Sequence, residues 1–572
     1  MNLESRNSTK DVRPRPISNR MTLLVPAIIG VALVVGCIVR FAGLTYALPL
    51  DVMGDEFGHV ATAFSFLNEK TLVASHEFSY VPSLLAVILT PFFALYGLGG
   101  VVFGSFSGID AFTEFAILQS SWFIVGPRIL SGIFGVAFLW FLFLFTRRLT
   151  NRDTALLAVL FAAFDFWLVH ESQVGHLWMP TTTLLLAGFY ALLRVAESGS
   201  LRWYLTAAFL IGLGYWAGFI PVVLLFWLFV AHWFAPNRKF TNLLWGGGLG
   251  IFLIGIISYL NPYSFVRQFG RALRTALETI GISVFPNLPV VSEVSVSVSD
   301  KIGLLTRILF FDNPFLVVLG LIGIMLFVYR RGVGSFPVIL LGGFSLFYVI
   351  VFLFAWPGPD NRYMLPLLPG LLFGAAYAVM AAFENTRGNI VRVSGALALI
   401  CALSWGIIGS IGYTRLLVAE DTRLAAHAWM IDHIPADSTI LVAAKYFELP
   451  RNRAVLEYLF SHEPSALRTR DRYLLEHTDR VPTPAYFVLS LGEREALSAD
   501  ASLSFSYMVR SWYRPEEKYS VPEGYTLIAT FYPHDPVIPL TDELLQNPDN
   551  PFTSLTLVRN LGPYVEVYEK AK

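Results

Sequence analysis

Charge is what this 572-residue chain has least of: 14% of its residues are Asp, Glu, Lys or Arg, where a soluble globular domain carries about a quarter. Cysteine is nearly absent too. Cys37 and Cys401 both sit in apolar runs, so no disulfide framework braces the polar part of the chain. The formal net charge is zero, so nothing in it argues for nucleic acid or an acidic macromolecular partner. There is no internal repeat, which excludes a solenoid. The charges that remain are unevenly spread. Up to about Tyr413 the chain is a series of apolar runs, while 413–572 holds close to half of all charged side chains. A membrane part followed by a polar part is the only arrangement that suits such a split.

Apolar runs long enough to cross about 30 Å of hydrocarbon fall near 21–44, 127–146, 154–172, 179–195, 203–219, 220–235, 241–260, 313–329, 335–356, 363–383 and 391–412. The first of these has no small-residue cleavage site after it and reads as a retained helix. The tail before it carries Arg6, Lys10, Arg13, Arg15 and Arg20. If that tail is cytoplasmic, alternate loops should be basic. Five are: Arg147-Arg148…Arg152, Arg194…Arg202, Arg238-Lys239, Arg330-Arg331 and Arg387…Arg392. An odd number of spans then puts 45–126, 261–312, 357–362 and the polar C-terminal part outside.

Ser83–Leu98 is also apolar, but counting it as a span would invert the basic loops. It is expected to be a re-entrant or interfacial helix. Phe265–Ile280 reads in the same way, with Arg267, Arg271 and Arg274 along one face. Beyond Arg415, Leu424–Ile434 reads as an amphipathic helix ending before Pro435. Strand-like runs follow at Thr439–Ala443, Ala485–Leu489, Tyr525–Phe531 and Tyr564–Tyr568, which predicts a small α/β domain.

The chemistry concentrates just past the first span, in Met53-Gly54-Asp55-Glu56-Phe57-Gly58-His59. Phe57, Val60, Phe64 and Leu67 recur at helical intervals, which places Asp55 and His59 near one another, four residues apart. Two carboxylates beside an apolar surface are costly to keep dry unless they bind something. Asp55 also suits a plain helix cap. A second polar group, His170-Glu171-Ser172-Gln173-Val174-Gly175-His176, closes the third span at the same outer face, and Glu171 is its foremost candidate. His76 and Glu77 precede the expected interfacial helix. Asp165, inside the third span, reads as structural, and Arg128 as a buried counter-charge.

A first span, an outer loop opening on Asp55-Glu56 and then interfacial helices resemble the GT-C superfamily of integral-membrane glycosyltransferases. The likeness is nearest to the branch of dolichyl-phosphate-mannose protein mannosyltransferases and aminoarabinose transferases. Tyr80-Val81-Pro82-Ser83-Leu84, Pro127-Arg128-Ile129-Leu130-Ser131-Gly132, Asn361-Arg362-Tyr363-Met364-Leu365-Pro366-Leu367-Leu368-Pro369 and Ala426-His427-Ala428-Trp429-Met430 look like that branch's loop, second-span, late-span and outer-domain segments.

The resemblance implies a polytopic α-helical membrane protein of about eleven transmembrane helices with a C-terminal extracytoplasmic α/β domain. Residues 1–20 would be a cytoplasmic tail, 21–412 a transmembrane domain with a catalytic outer loop at 45–126, and 413–572 the outer domain. It further implies transfer of a sugar from a polyprenyl-phosphate donor to a lipid, glycan or protein acceptor of the cell envelope, in the plasma (inner) membrane. Asp55 would take the acceptor's proton, with Glu56 supporting it or, with Asp55, ligating a divalent cation if one is used. Arg362, with Tyr363 beside it, would hold the donor phosphate. His59, His76, Glu77, His170 and His176 are further site candidates. Relatives often carry an aspartate where Leu177-Trp178-Met179-Pro180 has none, so Glu171 or His176 would take its place. The competing readings are a multi-pass transporter or lipid flippase, which lacks its usual inverted repeat here, and a catalytically silent glycan-binding relative.

Overall fold

The computed structural model describes residues 30–52, 54–74, 82–262, 297–355, 361–384, 388–491, 504–513, 518–533 and 558–571. His76, Glu77, the 265–280 segment and the N-terminal tail lie outside them. The described helices are α1 (Gly30–Val39), α2 (Gly54–Glu69), α3 (Leu84–Val102), α4 (Ile109–Leu118), α5 (Val125–Leu149), α6 (Arg152–Ala163), α7 (Phe166–Gln173), α8 (Trp178–Ser198), α9 (Leu201–Ala217), α10 (Leu224–Phe234), α11 (Phe240–Leu260), α12 (Val298–Asp312), α13 (Pro314–Arg331), α14 (Phe336–Ala355), α15 (Leu368–Glu384), α16 (Asn389–Val418), α17 (Thr422–His433), α18 (Arg453–His462) and α19 (Thr469–Glu476).

Among the described residues, eight helices are long and apolar enough to cross a membrane, or nine if the bent pair α6 and α7 is one span. The chain is thus a multi-pass membrane protein. The expected runs at 203–219 and 220–235 form helices that fall short of a full span, the second because a 3₁₀ turn at Ile220–Val223 interrupts it. Ser83–Leu98, expected at the interface, belongs to an unbroken 19-residue helix that passes the same test of length and composition as the spans.

α8 and α15 are the most deeply buried spans and form the centre of the bundle. Gly320 and Gly323 of α13 let that helix meet the backbone of α15 at Leu371 and Gly374. Such small-residue contacts are what hold helices together where lipid is as apolar as the side chains. α2, α3 and α4 make a separate apolar unit in which Phe64, Phe93 and Phe112 each meet Phe123 face to edge.

The expected span at 154–172 is broken. α6 and α7 meet at 59°, because Asp165 takes an extended backbone and caps α7, accepting from Leu168 N at 3.1 Å. The carbonyls freed at the end of α6 need donors. Arg40 supplies them from the first span, donating to Ala162 O at 2.8 Å and Ala163 O at 2.9 Å. Ser410 of α16 donates to Phe164 O at 2.8 Å. Asp165 is therefore structural, as its place in the sequence suggested.

The polar C-terminal part holds a five-stranded sheet, β1 (Thr439–Ala443), β2 (Phe487–Ser490), β3 (Tyr507–Trp512), β4 (Tyr525–Phe531) and β5 (Tyr564–Lys570), in the order β2-β1-β3-β5-β4. β1 runs parallel to β2 and β3, whereas β5 is antiparallel to β3 and β4. α17 packs Ala426 and Met430 onto its apolar face. β3 was not expected from the sequence, because Arg510 and Ser511 break its apolar run; Arg510 is in fact buried against Glu566 of β5.

The sheet unit is joined to the membrane part by buried polar contacts. Tyr46 donates to Asp421, which also pairs with Arg423 at 2.8 Å. Thr422 donates through N and Oγ1 to Leu561 O and Pro563 O. Gly562 between them has φ +103°, and a Cβ there would lie 2.2 Å from Thr422 Oγ1.

Candidate active site

α2 begins with two carboxylates in its first turn, where the positive end of the helix dipole favours them. Asp55 stands inside that turn rather than capping it. Neighbours on a helix point about 100° apart, and the two acids meet opposite surroundings. Asp55 leaves 47% of its side chain exposed, while Glu56 is 1% exposed.

Glu56 is held by Arg128 of α5, with Nη2 at 2.7 Å from Oε2 and Nε at 2.9 Å from Oε1. The same guanidinium donates through Nη1 to Leu44 O and Tyr46 O, both at 2.9 Å. Gly175 N donates to Glu56 Oε1 at 2.6 Å. Only glycine allows this approach, since a Cβ at 175 would lie 2.9 Å from Pro127 Cβ. The pair thus ties together the segment after α1, α2, α5 and the loop between α7 and α8. Both oxygens of Glu56 are engaged by Arg128 and Gly175, the surroundings of a structural ion pair. Among the described residues no group of three His, Cys, Asp or Glu side chains could hold a metal ion.

That clamped loop carries His176 into the site. Arg362 opens the 3₁₀ turn Asn361–Leu367 ahead of α15. Its Nη1 lies 3.5 Å from Asp55 Oδ2 and 3.4 Å from His176 Nδ1. Glu171, brought across by the bend before α7, lies between two histidines, 3.4 Å from His170 Nδ1 and 3.6 Å from His176 Nδ1. Tyr363 packs its ring on Trp178 with centroids 5.0 Å apart, and Tyr348 donates to its carbonyl at 2.6 Å. This fixes the turn that presents Arg362.

Burial holds the His59 imidazole down at about 4 despite the nearby charge of Asp55, so His59 is neutral at physiological pH. His176 goes the other way. Burial pulls it down, but hydrogen bonding to Glu171 and that carboxylate's charge outweigh burial and raise it.

The structure therefore brings Asp55, His59, His170, Glu171, His176, Arg362 and Tyr363 into one cluster where several spans begin or end. Sequence reasoning missed Arg40 and Tyr413. Tyr413 packs against His170 with centroids 5.0 Å apart and the rings tilted by 44°, and its hydroxyl is buried without a hydrogen-bond partner among the described residues. A tyrosine in the middle of an apolar run was the one signal available, since buried hydroxyls usually seek a polar neighbour.

Fold and cluster together define a multi-pass membrane protein with a polar site at one end of its helices. Residues 115–260 match the family model described as dolichyl-phosphate-mannose-protein mannosyltransferase, which bears out the GT-C resemblance read from the motifs. The match includes Arg128, Glu171 and His176; Asp55 and Arg362 lie outside it. No curated protein matches the chain. Solved structures similar to it include ArnT from Cupriavidus metallidurans bound to undecaprenyl phosphate, at 13% identity and TM-score 0.46, covering 87% of this chain and 94% of that one. Another is the archaeal oligosaccharyltransferase AglB from Archaeoglobus fulgidus in complex with an inhibitory peptide and a dolichol-phosphate, at 11% identity and TM-score 0.45, covering 95% of this chain and 88% of that one. Both likenesses are distant.

Proposed function

We propose that the protein is a glycosyltransferase that moves a sugar from a polyprenyl-phosphate donor to an acceptor on the extracytoplasmic side of the plasma membrane. The observation that carries this reading is the meeting of Asp55 and Arg362, 307 residues apart in sequence and 3.5 Å apart in space. A half-exposed carboxylate beside a guanidinium offers a base and an anion holder side by side.

In the proposed reaction the acceptor hydroxyl attacks the anomeric carbon. The bond from that carbon to the phosphate oxygen breaks, the hydroxyl proton passes to Asp55, and the polyprenyl phosphate leaves as an anion. Arg362 can grip that anion with two parallel N–H donors. Glu171 orients the site through His170 and His176 and keeps its field negative, which suits the charge building on the sugar. Tyr363, packed on Trp178, supports the Arg362 turn and is placed to border the lipid phosphate. Glu56 acts through Arg128 as scaffold.

The basic residues at the opposite span ends support a cytoplasmic N-terminus, a transmembrane part over 21–412 and an outer domain over 413–572. With Cys37 and Cys401 replaced, a cysteine at the exposed Asn68 should react in intact cells with a membrane-impermeant maleimide. Labelling only after lysis would place the site on the wrong side for this function.

The activity itself is tested by reconstituting the protein with radiolabelled polyprenyl-phosphate sugars and following sugar transfer and lipid phosphate release. Arg362→Gln should raise the donor KM about tenfold to a hundredfold, the worth of one charge-assisted contact, and Arg362→Lys should recover part of it. Movement of lipid across the bilayer with no transfer would establish a flippase instead.

A further inference from the structure

One imidazole nitrogen in this cluster has two claims on it. His176 Nδ1 is 3.4 Å from Arg362 Nη1 and 3.6 Å from Glu171 Oε2. A ring nitrogen carries either a lone pair or a proton. With the lone pair it accepts from the guanidinium. With the proton it donates to the carboxylate and sets a positive ring against Arg362. The two arrangements exclude each other, and what decides between them is where the Arg362 charge stands.

We propose that His176 is a positioning residue that parks the Arg362 guanidinium before the donor arrives, and takes up a proton from water when a lipid phosphate draws that guanidinium away. The inference rests on the reading of Arg362 as the phosphate holder.

The neighbouring charges support the direction. Burial and Arg362 oppose the proton on His176, yet Glu171 of α7 and Asp55 of α2 raise it above the ordinary imidazole value, so the lone-pair form that accepts from Arg362 prevails only above that raised value. Phosphate binding removes the opposing influence and adds negative charge of its own, so every change at the site pushes the same way. His170, on the far side of Glu171, shares that carboxylate. His59, the other imidazole nearby, stays neutral at physiological pH because burial holds it down at about 4. Binding that raises the affinity of a group for protons is itself tighter at lower pH. Donor grip should therefore strengthen as pH falls through the range in which His176 titrates with donor bound, and weaken above it. Before donor binds, Arg362 remains docked between Asp55 and His176, with 24% of its side chain exposed.

The test is calorimetric titration of the purified full chain with farnesyl methyl phosphate. This isoprenoid phosphodiester carries one negative charge throughout the range, so it contributes no proton of its own. Comparing two buffers of unlike ionisation heat between about pH 5.5 and 8 gives the number of protons exchanged. The wild type should take up on the order of half a proton per ligand in the upper half of that range. His176→Gln keeps an acceptor for Arg362 but cannot titrate; it should bind within about threefold of wild type with uptake lost. His59→Gln should keep the wild-type uptake. Binding without proton uptake in the wild type, or uptake that persists in His176→Gln, overturns the inference and leaves the phosphate reading of Arg362 standing. Failure of the wild type to bind the probe overturns both.

Discussion

Asp55→Asn is expected to abolish sugar transfer, lowering kcat by about 10²- to 10⁴-fold while the protein accumulates in membranes at the wild-type level. The substitution keeps shape and hydrogen-bonding capacity but removes the basic lone pairs that would receive the acceptor's proton. Asp55 is about half exposed, so it contributes little packing, and its loss should not unfold the chain. The effect should fall on kcat rather than on donor KM, because Arg362 keeps His176 as a partner and is freed from competition with the carboxylate. Steady-state kinetics with the reconstituted enzyme separates the two. If Asp55→Asn stays active, the base must be sought elsewhere, and Glu171 is the next carboxylate in the cluster.

Glu56→Gln should do something quite different. Removing one partner of a buried ion pair leaves the other charge uncompensated, at a cost of about 3–5 kcal/mol, and Arg128 is 2% exposed. The variant is expected to unfold at markedly lower temperature in detergent and to lose activity in proportion to folded protein. Replacing both members, Glu56→Gln with Arg128→Met, should recover part of the lost stability, since no buried charge is then left alone. A Glu56→Gln protein that melts like wild type yet transfers no sugar would show that this carboxylate takes part in the chemistry after all.

That contrast marks where the sequence stops being readable. Asp55 and Glu56 are adjacent, equally acidic and equally close to the first span, and nothing in the local pattern separates them. What separates them is Arg128, 72 residues away from Glu56, meeting one helix face and not the other. The spans were legible because a run of apolar residues has a single stable environment. β1 and β4 were legible for a related reason: bounded β-branched runs leave few alternatives. β3 was hidden by Arg510, whose burial depends on Glu566 arriving from another strand. The break at Phe164–Asp165 was hidden because the residues on either side of it, Leu157–Ala163 and Phe166–Val169, are apolar, and its stabilising donor comes from Arg40, just past α1. Wherever a charge is neutralised across the fold rather than along the chain, local pattern falls short.

The bend between α6 and α7 has a last consequence. Eight residues of helix rise about 12 Å, and a turn of 59° sends most of that length sideways. His170 and Glu171 are thereby carried off the line of α6 and end buried in the protein, each 1% exposed. A straight rod would have left the carboxylate bathed and its field dissipated. On the proposed function, the kink is what sets that carboxylate's field beside the place where a lipid phosphate would sit.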